Sequence, residues 1–230
     1  MGLIECIARS ASPTGLLILP GSDLRKDSPG HARGIQEGPV TAGVNPAYAP
    51  RVRAFFGLRV PEAQREELGP YLAECAAVAP DFRWTPASNL HLTLRFIGSI
   101  EASVAEGIAD RLAERHLAGF ELELSDVETF KRGRLVRVVW LQVRAGADAA
   151  RELAAQVEAE CVRAGLAPES RPYQAHLTLA RARPREGAVL PPLPGPPELQ
   201  PWRAGELILY RSQLGRTGAV YEPLRRLRLS

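Results

Sequence analysis

The chain has 230 residues, 45% of them hydrophobic, which allows one large domain or two small lobes around a real core. Its 29 Lys and Arg against 26 Asp and Glu leave a formal charge of +3, which fits an anionic partner but lacks the basic block of a nucleic-acid tail. Three scattered cysteines, Cys6, Cys75 and Cys161, imply neither a disulfide framework nor a zinc site, and no apolar run approaches the ~20 residues of a membrane span. A reducing cytoplasm is the expected setting.

In chain order, residues 1–50 carry Ser-Pro, Pro-Gly and Asn-Pro breakers and no sustained period, and are expected to be a disordered extension. From Arg51 the pattern sharpens. Arg51–Val60 reads as a strand, Pro61 as the first residue of a helix, and Glu62–Val78 as that helix. Asn89–Ile97 is strand-like and Ser99–Arg115 helical. Phe120–Phe130 and Leu135–Val143 read as a strand pair around the basic turn Lys131–Arg134. Ala147–Ala164 is a third helix stopped by Gly165, and Tyr173–Ala182 another strand. A Pro-rich loop, Pro191–Pro201, precedes a last strand pair, Glu206–Gln213 and Val220–Leu229. Helices alternating with antiparallel pairs indicate an α+β fold for residues 51–230.

One pattern occurs twice. Asn89-Leu90-His91-Leu92-Thr93-Leu94 is matched by Gln174-Ala175-His176-Leu177-Thr178-Leu179, and an Arg follows each copy, Arg95 and Arg181. Each copy is preceded by a helix, which suggests an internal duplication. Side chains alternate faces along a strand, so each His shares a face with its Thr while the leucines point the other way, into a core. Two such faces meeting across a cleft would hold two imidazoles that give and take protons near neutrality. Two hydroxyls would donate to phosphate oxygens, with Arg181 offsetting their charge. No Asp/His cluster suggests a metal, no P-loop is present and no cofactor is implied. Of the other two histidines, His31 lies in the extension and His116 at a helix end; both read as solvated.

On these motifs the sequence resembles the two-histidine (2H) phosphoesterase superfamily, marked by paired His-x-Thr motifs. It looks most like the bacterial and archaeal RNA 2′,3′-cyclic phosphodiesterases, also called 2′-5′ RNA ligases. The resemblance spans about residues 51–230. It takes in Arg-Ala-Phe-Phe near the start, the phrase from His91 to Gly98, the phrase from His176 to Arg181, and Leu209-Tyr-Arg-Ser-Gln-Leu with Gly218 and Tyr221. The family commonly has Pro directly before the second His, where Ala175 stands here.

The resemblance implies a bilobal, pseudo-twofold fold: two antiparallel sheets with outer helices around a central groove. It implies hydrolysis of RNA 2′,3′-cyclic phosphate ends to 2′-phosphates without a metal, and in reverse an ATP-independent 2′-5′ ligation. It implies His91 as proton donor and His176 as proton acceptor, with Thr93, Thr178 and Arg181 on the phosphate. Phe130 and Arg134 are expected toward the RNA, as stacking and phosphate contacts. The implied partner is RNA with cyclic phosphate termini, tRNA halves included, and the implied state is a monomer. Three alternatives stay open: a cyclic phosphodiesterase on a small nucleotide such as ADP-ribose cyclic phosphate, a non-catalytic RNA-binding module, and an interaction protein using the Pro-rich loop.

Overall fold

A computed structural model describes residues 50–215 and 218–230, which fall within one compact unit. Apart from Pro50, the extension expected to be disordered lies outside the described residues, with His31 and Cys6. The elements run β1 (Arg51–Arg59), α1 (Glu62–Val78), β2 (Phe82–Trp84), β3 (His91–Glu101), α2 (Ala102–Ala113), β4 (Phe120–Arg132), β5 (Leu135–Ala145), α3 (Ala147–Arg163), β6 (His176–Ala182), β7 (Trp202–Ala204), β8 (Glu206–Gly215) and β9 (Gly218–Arg228). Residues 183–201, the Pro-rich loop included, form no named element.

The strands form two sheets, in the orders β3-β1-β8-β9 and β2-β6-β5-β4-β7, and every named pairing is antiparallel. The α+β reading holds. So does the two-sheet architecture around a seam, at which the motif strands β3 and β6 come together. The helices cover the outside: α1 against β2, α2 against all four strands of the first sheet, and α3 against β3 and α2. Cys75 on α1 and Cys161 on α3 are fully buried and behave as small core side chains.

Pro61 is a correction. It is the extended residue before the helix, with ψ of 164°, and its carbonyl accepts the first helical bond from Arg65 N–H at 3.1 Å. The strand at His91 also runs further than its apolar pattern, to Glu101, with Gly98 at φ of 82° taking an irregular turn of the edge. That pushes the start of α2 to Ala102.

Candidate active site

Both motif strands begin at the histidine itself. Leu92, Leu94, Leu177 and Leu179 are buried in one core, with 6% exposure at most. His91, Thr93, His176 and Thr178 occupy the alternate face and are half-buried. The register fixes their surroundings: His91 lies opposite Arg59 and Thr93 opposite Gly57 on β1, while His176 lies opposite Gln142 and Thr178 opposite Trp140 on β5.

The two imidazoles are held in the same way. Nδ1 of His91 donates to the carbonyl of Asn89 at 2.7 Å, and Nδ1 of His176 to the carbonyl of Gln174 at 2.8 Å. A carbonyl only accepts, so Nδ1 carries the proton in each ring and Nε2 is the nitrogen left for chemistry. The Asn89 side chain is itself fixed, donating to the Ala219 carbonyl on β9 at 2.7 Å. The walls differ. Phe55 lies 4.7 Å from the His91 ring and Tyr221 stands edge-on at 5.0 Å. Phe130 and Trp140, stacked at 4.9 Å, present their rings to His176 at 5.3 and 5.6 Å.

Burial pushes the His91 pKa down to about 4, and the nearby charges of Arg181 and His176 press the same way. His176 is lowered too, first by burial and then by Arg181. Both shifts favour the neutral rings at pH 7. An anion seated between them would favour their charged forms.

The cleft has a volume of about 480 Å³ and draws on both sheets. His91, Thr93, Thr178 and Arg181 all line it, with Arg53, Arg83, Thr85 and Ser212 adding cations and hydroxyls. The set suits a phosphate ester: guanidinium and hydroxyl donors around the His91 imidazole. Among the described residues no group of three or more His, Cys, Asp and Glu side chains is gathered that could hold a metal ion.

Comparison with known proteins agrees with this geometry. The sequence model of the family described as LigT like Phosphoesterase matches the chain twice, over residues 58–140 and again over 141–221. The chain belongs to that family. Each match contains one of the two His-Leu-Thr-Leu motifs, so the duplication read from the tetrapeptide extends over whole halves. The RNA 2′,3′-cyclic phosphodiesterase of Escherichia coli K12 is 31% identical over 179 residues, covering 77% of this chain and 97% of the relative. The enzyme of the same name from Aeropyrum pernix is 34% identical over 142 residues, 59% of this chain and 80% of the relative. E. coli LigT, crystallised with 3′-AMP, superposes with a TM-score of 0.68 at 28% identity, over 79% of this chain and 99% of that one.

Seen as a LigT-like phosphoesterase, the chain gathers most of the side chains expected from its sequence. Thr93, Thr178, His91 and Arg181 share the cleft, whereas His176, two residues before Thr178 on β6 and packed on Phe130, is not among its lining residues, and neither is Phe130. Arg134 is exposed past the end of β4 and does not line the cleft. Arg95 stands one residue closer to its histidine than Arg181 does in the other copy, aligning with Ala180, and it turns away from the site. It is buried against Glu158 and Glu169 and donates to the Ala167 carbonyl at 2.7 Å, tying the segment that leads to His176 onto β3. Sequence reading missed Arg53, Arg83, Thr85 and Ser212. The pairs Arg53/Phe55 and Arg83/Thr85 do carry the two-residue spacing of one strand face, but a single pair in one copy lacks the repetition that singled out the histidines.

Proposed function

We propose that this LigT-like phosphoesterase hydrolyses RNA 2′,3′-cyclic phosphate ends to 2′-phosphomonoesters by acid–base catalysis that needs no metal. The observation that carries the reading is the paired imidazoles, each tied through Nδ1 to the carbonyl two residues upstream, beside a cleft lined with hydroxyls and guanidiniums. Relatives named RNA 2′,3′-cyclic phosphodiesterase support the substrate.

In this mechanism Nε2 of His176 takes a proton from water as the water oxygen attacks phosphorus. The P–O3′ bond breaks, and Nε2–H of His91 gives its proton to the departing O3′. The products are a 3′-hydroxyl and a 2′-phosphate, and the two rings exchange protons with solvent to reset. Burial favours the neutral His91 ring, and the negative charge of the bound phosphate offsets this and restores its proton. Thr93 and Thr178 donate to the non-bridging oxygens, and Arg181 offsets the charge that grows on them. Phe130 borders the RNA beside His176, with Arg134 further out on the same side. A 5′-hydroxyl in place of water would give a 2′-5′ linkage with no ATP, because the cyclic ester already carries the activated phosphorus. The same reading places a monomer in the cytoplasm acting on RNA ends such as tRNA halves. It is compatible with the described residues, where no helix is long and apolar enough to cross a membrane.

The test is hydrolysis of a short RNA ending in a 2′,3′-cyclic phosphate, in excess EDTA, by wild type, His91→Ala and His176→Ala. Each variant should lose roughly 10²-fold or more, and the wild-type product should be the 2′-phosphate. Activity abolished by EDTA would overturn the metal-free mechanism. Activity confined to ADP-ribose cyclic phosphate would move the substrate to small nucleotides. No activity on either would leave an RNA-binding module.

A further inference from the structure

On the other side of His91 and Tyr221 from the main cleft lies a second hollow of about 250 Å³. Three arginines line it from separate elements: Arg59 at the end of β1, Arg65 in the first turn of α1 and Arg226 on β9. Among the described residues no Asp or Glu lines it. Arg226 pairs with Glu206 at 3.1 Å and Arg65 with Glu62, both carboxylates lying outside the lining.

Arg65 is the telling member. Its residue exposure is 8%, and its Nε is buried with no partner among the described residues. Its guanidinium is tied to Glu62 through the other end, so the charge is paired while one buried N–H is left without an acceptor. The Asn89 that holds His91 also forms part of the wall, so the hollow and the cleft are joined through one histidine.

We propose that this hollow is a second phosphate subsite, which takes the phosphate on C5′ of the ribose whose 2′,3′-cyclic phosphate sits in the main cleft. The assignment rests on the hydrolase reading and narrows its substrate. A ligand that fills both spaces must carry two anionic groups on either side of His91, and the two phosphates of one ribose are the nearest such pair at an RNA end. The subsite therefore selects ribose cyclic phosphates that bear a 5′-phosphate group over bare nucleoside 2′,3′-cyclic phosphates.

Three substrates with the same terminal base test this: the nucleoside cyclic phosphate with a free 5′-hydroxyl, the same molecule with a 5′-phosphate, and the dinucleotide with a cyclic end. Their kcat/KM values are compared in wild type, Arg59→Gln and Arg226→Gln. Wild type should favour the two 5′-phosphorylated substrates by about tenfold or more, the scale of charge-assisted hydrogen bonds to one phosphate. That preference should shrink toward unity in both variants. Each preference is a ratio within one preparation, so a partly unfolded variant does not distort it. Equal rates on all three substrates in wild type, or a preference the arginine variants keep, would overturn the subsite while leaving the hydrolase standing. Preference for the 5′-phosphomonoester alone would support the subsite and assign it to small nucleotides. Cleavage of none of the three would overturn the hydrolase reading and the subsite with it.

Discussion

A hydrogen bond from Nδ1 to a backbone carbonyl settles which nitrogen of each histidine faces chemistry, and burial settles its charge. The pKa of His91 falls from 6.5 in an open chain to about 4 in the fold. Between those values the unfolded chain binds more protons than the native one, so this residue's contribution to stability is complete above about 6.5 and is lost as pH falls toward about 4. Wild type should therefore lose more melting temperature than His91→Asn when the pH drops from about 7 to about 4.5, and inorganic phosphate should narrow the gap by favouring the charged ring. Differential scanning fluorimetry across that range checks it; parallel curves for the two proteins would show that the ring is not held neutral. The strand face that each histidine shares with its threonine was legible in the sequence, because the tetrapeptide repeats in register; the Nδ1 bond and the lowered pKa were not, since the sequence suggested rings titrating near neutrality. Nor were the walls. Phe55, Tyr210 and Trp140 look like ordinary core aromatics until the sheet order lays them against the imidazoles and each other.

The motif strands depend on close packing against their neighbours. Gly57 on β1 sits opposite Thr93, where an added Cβ would come within 2.9 Å of the Leu92 carbonyl and 3.4 Å of His91 Cδ2. The Leu92 carbonyl cannot yield without moving β3. Gly57→Ala should leave the circular dichroism spectrum intact and lower kcat on a cyclic-phosphate RNA by about 10- to 100-fold, the penalty of shifting a catalytic group by a fraction of an ångström to an ångström. Unchanged kcat would mean that the seam absorbs the methyl. The longer elements could be read from their periods, within a few residues at each end. β2 and β7 could not: three residues show no alternation, and both exist because β6 and β4 offer them edges to pair with.

The two halves of the sequence are not the two sheets of the structure. The chain passes between the sheets four times, from β1 to β2, β2 to β3, β3 to β4 and β7 to β8. The duplication was visible in one tetrapeptide, but this interleaving was not, because strand order is a property of distant pairing and leaves no local trace. It has a consequence for a severed backbone. A single protease cut in the Pro-rich stretch 191–201 would produce a C-terminal piece holding β7, β8 and β9, with β7 laddered to β4 in one sheet and β8 to β1 in the other. The nicked protein should elute from size exclusion as one species that still cleaves its substrate, and come apart into two bands only in denaturant. The polypeptide is thus woven rather than strung, and its continuity matters less than the lattice of strand partners that each piece brings.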